Sequence, residues 1–73
     1  MDIKEAMRWA LRFKARGMIL VHNHPSGYPE PSDADINLTR QFIRATSFFD
    51  IRVLDHVIIG DGEFASLNKN GLV

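Results

Sequence analysis

Three prolines, Pro25, Pro29 and Pro31, interrupt the chain at the point where its apolar pattern changes period. Proline locks φ and has no amide proton to give, so Asn23 to Ser32, with Ser26 and Gly27 between the prolines, excludes regular structure. The same restriction makes this stretch an ordered loop rather than a flexible linker. The fold must therefore be assembled from one set of elements before the loop and another after it.

Before the loop, Ile3, Ala6, Met7, Ala10 and Leu11 recur at helical spacing up to about Ala15, with Lys4, Arg8, Arg12 and Lys14 on other faces. That pattern predicts an amphipathic helix stopped by a left-handed Gly17. Trp9 and Phe13 lie about 80 to 120° from the centre of the stripe at ~100° per residue. They widen the buried face, make a second one or offer a patch to a partner. Met18-Ile19-Leu20-Val21-His22 is short, apolar and partly β-branched, which predicts a buried strand.

After the loop, Ser32 followed by Asp35 and a periodic apolar run is a helix start. Leu38, Phe42, Ala45 and Phe49 mark one face of that helix, and Ile36 and Ile43 a second, so it is expected to touch two neighbours. Arg52 to Ile59 alternates as a strand, with Val53, Val57 and Ile59 on one side and Leu54, His56 and Ile58 on the other, which predicts an interior strand. Gly60-Asp61-Gly62 is a tight turn into Phe64 to Leu67, making a β-hairpin. Asn68 to Gly71 turn again before Leu72 and Val73. The order α-β-α-β-β, without repeat or internal boundary, gives one α+β (α/β layered) domain over residues 1–73 with a small mixed sheet.

A domain of 73 residues has a marginal core, because a globule of that size buries only ~60% of the surface its unfolded chain exposes. Cysteine is absent, so no disulfide or thiolate cluster can staple it, and any metal must be held by imidazole and carboxylate. Nine Lys and Arg balance nine Asp and Glu, scattered rather than gathered into a stripe, so charge gives nucleic-acid binding no support. No apolar run approaches the ~18 residues of a membrane span, and Met1-Asp2-Ile3-Lys4 lacks the layout of a signal peptide, so a cytoplasmic location without membrane association is expected.

His22 and His24 are two apart at the end of a strand, which points both rings to the same side with Cα atoms about 6.5 to 7 Å apart. Asp35 falls in the first turn of the following helix, after a loop long enough to bring that turn back over the strand end. Two imidazoles and a carboxylate are a set that zinc accepts. Three protein ligands leave the fourth tetrahedral position to water, whose pKa zinc lowers toward ~7. Ser32, three residues before Asp35, is placed to cap the helix and to donate a hydrogen bond to a developing oxyanion. His56, between Leu54 and Ile58, reads as a hydrogen-bonded core histidine outside the metal set. Asn23 and Ser26 are candidates for contacting substrate, although Asn and Ser beside proline are common turn formers.

His22-Asn23-His24, seven residues, Ser32, two residues and Asp35 match the pattern H-x-H-x7-S-x2-D of JAMM-type zinc hydrolases. HNHPSG at 22 to 27, PEPS at 29 to 32 and VLDHVIIGDGEF at 53 to 64 make the chain similar, over essentially its whole length, to the RadC family. The resemblance implies a JAMM/MPN, cytidine-deaminase-like layered fold. It also implies one zinc per domain and hydrolysis of peptide or isopeptide bonds. A DNA-repair label also attaches to that family, without a biochemical basis in the motif.

The family resemblance further implies a general-base glutamate on a strand upstream of the first helix, a region with no counterpart here. Glu5, on a surface-type helix, Glu30, in the loop, and Glu63, in the hairpin turn, are the remaining glutamates. A positioned general base is typically worth ~10² to 10⁴-fold in rate, so two functions stand side by side. One is a zinc hydrolase; the other is a truncated module that binds metal without turnover and works by association. The strands implied by the family would cover one side of the sheet, so a homo-oligomer through the uncovered sheet or through Trp9 and Phe13 is also expected.

Overall fold

Asp2 opens the first helix by accepting a hydrogen bond from the Lys4 amide at 3.0 Å, as a cap must for one of the orphan donors of the first turn. The computed structural model of the protein describes residues 2–24 and 27–71. Its elements are α1 (Ile3–Arg12), β1 (Gly17–Asn23), α2 (Asp33–Ser47), β2 (Arg52–Gly60) and β3 (Glu63–Ser66), the predicted order. The class is α+β, two helices on a three-stranded mixed sheet.

α1 ends earlier than the sequence suggests. Lys14, not Gly17, takes the left-handed conformation, at φ 55°. The Lys14 amide donates to Leu11 O at 3.2 Å and the Ala15 amide to Ala10 O at 2.8 Å, the paired bonds of a Schellman cap. Two satisfied carbonyls offset the strain of a non-glycine residue there, and Gly17 is left free to begin β1. Met7 and Ala10 are the buried residues of α1, and they cluster with Ile51 against Ile3, Ala15, Met18 and Ala45. Leu11 lies outside the buried face, and Trp9 and Phe13 do not widen it. These two stack on each other with ring centroids 5.6 Å apart on the surface, and the Trp9 indole donates to Glu5 at 3.0 Å.

β1 and β2 run parallel, and β2 and β3 antiparallel, in the order β1-β2-β3. β2 is the interior strand expected from its two apolar sides. A shift in register between Met18 and Ile19 leaves Leu54 unpaired. This bulge corrects the simple alternation, because Leu54 is exposed while His56 and Ile58, two and four residues on, are fully buried. The inner face carries Leu20, His22, His56 and Ile58 under α2. The outer face carries Ile19, Val21, Ile59 and Phe64, all exposed.

The line that α2 buries is Asp35, Thr39, Phe42 and Thr46. Leu38 and Ala45 flank it half-buried, whereas Ile43 and Phe49 are exposed. Three of the four buried positions are polar, which an apolar stripe cannot reveal. The hairpin after β2 is a two-residue loop, Asp61 at φ 45° and Gly62 at φ 79°, between the paired Gly60 and Glu63. Both signs are those of a type I′ turn, for which Asp-Gly is a preferred pair. Ahead of it, Gly60 lies under the proline-containing loop, where an added Cβ would come within 2.7 Å of the Gly27 backbone.

Replacing Gly60 with Ala is expected to cost about 2 kcal/mol, as overpacking against backbone does. Gly62→Ala should cost about 1 kcal/mol, through left-handed strain alone. Urea unfolding of the two variants measures the difference.

Candidate metal centre

β1 delivers His22 on its inner face, and the chain leaves the strand so that the His24 amide still donates to Ile59 O at 2.9 Å. One bond of the ladder is thus continued into the loop, and it fixes His24 beside His22. The two rings meet edge to face, 4.9 Å between centroids.

From across the loop, Ser32 caps α2 in a capping box with Asp35. The Asp35 amide donates to Ser32 Oγ at 3.2 Å. In return, the Ser32 amide and hydroxyl each donate to Asp35 Oδ2 at 2.8 Å. The cap serves the site directly, since it holds the Asp35 carboxylate rigid in a place where it is 3% exposed.

His22 Nδ1 lies 2.8 Å from Asp35 Oδ1, and His24 Nε2 lies 2.9 Å from Asp35 Oδ2. The three residues singled out as ligands, with Ser32, therefore converge on one carboxylate. Asn23 belongs to β1 and is exposed. Ser26 lies outside the described residues. Among the glutamates, Glu5 is engaged on α1 with Trp9 and Arg8, and Glu30 and Glu63 are exposed.

Burial would raise the Asp35 pKa, but the Ser32 amide, the Ser32 hydroxyl, the His22 hydrogen bond and the nearby His24 outweigh it, and the carboxyl is lowered from 3.8 to about 2. The carboxylate is thus ionised and can only accept. His24 Nδ1 lies 2.7 Å from the Tyr28 carbonyl, another pure acceptor, so Nδ1 carries a proton. The other nitrogen, Nε2, faces the Asp35 carboxylate. A carbonyl on Nδ1 with Nε2 turned inward is the arrangement that orients metal-ligating histidines. A nearly buried carboxylate between two imidazoles, with no thiolate, also fits zinc by its donor chemistry.

Sequence reasoning placed His56 in the core, and it is buried there, with its Nδ1 2.6 Å from Thr39 Oγ1. Its ring also lies 6.0 Å from that of His22, nearly parallel to it. Among the described residues, His22, Asp35 and His56 each offer a ligand atom within 4.8 Å of the others. Alternation puts His56 on one side of β2 with Ile58, and the parallel register, Leu20 opposite His56 and His22 opposite Ile58, makes that the His22 side of the sheet. Burial lowers the His56 pKa, against the pull of Asp35, so the ring is neutral at neutral pH.

The model of the RadC-like JAB domain matches residues 1–72. A UPF0758 protein of Marinobacter nauticus is 53% identical over 70 residues, 96% of this chain and 31% of the relative. Another from Desulforamulus reducens has the same identity and coverage, and one from Cellvibrio japonicus is 50% identical over 68 residues, 93% of this chain and 30% of the relative. The chain thus spans somewhat less than a third of the length of these curated relatives. No helix among the described residues is long and apolar enough to cross a membrane.

Because Asp35 is lowered on folding, its ionised form stabilises the fold fully above the unfolded pKa of ~4, and this is lost as pH falls toward 2. The loss amounts to roughly 2 kcal/mol. Urea unfolding of the metal-free protein from pH 5 to pH 2 should show it, and Asp35→Asn should flatten that part of the profile.

Proposed function

The chain belongs to the RadC-like JAB domain family, and from that premise we propose that it is the metal-holding portion of a zinc-dependent hydrolase of peptide or isopeptide bonds. His22, His24 and Asp35 are the zinc ligands in this reading, one ion per domain, acting in the cytoplasm. The supporting observation is the Asp35 carboxylate, 3% exposed and within 2.9 Å of both imidazoles.

Bound zinc would supply Lewis acidity, polarising water and the scissile carbonyl. The chain supplies the rest. Tyr28 O keeps the His24 ring turned so that Nε2 faces the Asp35 carboxylate, from which it would bind the ion. Ser32 fixes Asp35 through its amide, and its single hydroxyl proton goes to Asp35 Oδ2. Its second part, donation to the oxyanion that develops on the substrate, requires that hydroxyl to turn from Asp35 to the substrate. Asn23, exposed at the end of β1, is a candidate contact for the substrate backbone. Of the glutamates only Glu30, exposed in the loop, is near the site in sequence as a substitute base; without a positioned base, slow turnover by these residues alone is expected.

A second reading is a module that holds metal and acts by association with a partner or a second copy. The apolar outer face of the sheet, with Ile19 58% and Phe64 65% exposed, favours it, because such a surface is a common site of pairing.

Metal analysis of the purified protein should find about one zinc per chain, and His24→Ala should weaken zinc binding at least ~10² -fold, beyond the range for loss of a supporting partner. Full zinc occupancy in His24→Ala would remove that residue from the ligand set. Zinc-dependent cleavage of peptide or isopeptide substrates supports the hydrolase; zinc binding with self-association and no cleavage supports the second reading.

A further inference from the structure

His56 is fully buried on β2, and its hydrogen bonds fix its tautomer. Thr39 has one hydroxyl proton, and it goes to the Asp35 backbone carbonyl at 2.8 Å, which can only accept. Thr39 Oγ1 therefore has only lone pairs to offer His56, and at 2.6 Å His56 Nδ1 must be the donor. Nε2 is then a bare lone pair. It is buried and, among the described residues, has no hydrogen-bond partner, a state that is ordinarily costly.

The arrangement is costly for a core histidine and well suited to a ligand. Histidines that bind metal donate one ring N–H to an oxygen and present the other nitrogen. His56 does so with Thr39, and Thr39 is tied in turn to the backbone of Asp35. Nδ1 is committed, so Nε2 is the atom free to bind, and His56 belongs with His22 and Asp35 to a group in which each residue offers one ligand atom, a ring nitrogen or a carboxylate oxygen, within 4.8 Å of the others.

We propose that His56 Nε2 is a further protein ligand of the cation site, so that His22 and Asp35 are shared between an outer imidazole, His24, and an inner one, His56. This rests on the metal reading given above and extends it. Thr39 is the positioning residue of the inner ligand. Among the described residues, the group within reach of one ion is His22, Asp35 and His56 and does not include His24. The outer and inner imidazoles are therefore alternative third ligands, and a fourth position stays open to water.

Two-bond ¹⁵N–¹H NMR of histidine-labelled protein, before and after stoichiometric zinc, tests the assignment. The metal-free protein should show His56 protonated at Nδ1 and not at Nε2, and zinc should move the His56 Nε2 resonance together with those of His22. A His56 proton on Nε2, or a His56 Nε2 resonance unmoved while His22 and His24 respond, overturns the proposal and leaves the outer site standing. If no histidine responds, the metal reading falls with it. Thr39→Val, which keeps the helix and removes the hydroxyl, should weaken zinc binding ~10 to 100-fold with an unchanged far-UV circular dichroism spectrum; unchanged affinity contradicts it.

Discussion

A carboxylate removed from water needs compensating partners, and Asp35 has them from three directions. Ser32 donates twice from the loop side, and His22 and His24 approach from the end of β1. Because a buried ionised group without such partners costs several kcal/mol, the burial of Asp35 commits the strand end, the loop and the first turn of α2 to one geometry. The cap of the helix and the floor of the site are the same set of hydrogen bonds.

The rest of the fold supports this junction. Parallel pairing of β1 with β2 sets His22 near His56, and Thr39, one turn after Asp35, bridges the helix to that second strand. Next to His56 on β2, Asp55 accepts from the His56 amide, the Ser66 hydroxyl and the Asn68 amide. Those bonds lower its pKa against the opposing effect of burial and clamp β3 and the turn after it to the interior strand. Around these polar contacts Leu20, Phe42, Ile58 and Leu67 are almost completely buried. The outer face of the sheet is left as an apolar surface.

Much of this was legible from periodicity and punctuation. The prolines separated strand from helix, Asp-Gly marked the hairpin, and Ser32 with Asp35 marked a cap that the structure bears out. The convergence of His22, His24 and Asp35 also followed from spacing, because alternation and one helical turn are short-range rules. Misreadings arose where long-range contacts decide. The bulge at Met18 and Ile19 moved Leu54 out of line, and two hydrogen bonds let Lys14 stop α1 in place of glycine. Thr39 and Thr46 are buried because of what they face, which no hydrophobic pattern carries. His56, between Leu54 and Ile58, is the hydrogen-bonded core histidine expected; what the sequence does not carry is that its neighbours in space are His22 and Thr39.

The account stands or falls on whether the imidazoles and Asp35 hold one cation together. X-ray absorption at the zinc edge of the loaded protein tests that most directly. The account predicts a first shell of nitrogen and oxygen only, at roughly 2.0 to 2.1 Å, with outer-shell scattering from at least two imidazole rings. A shell of oxygens alone, or scattering from a single ring, would contradict it.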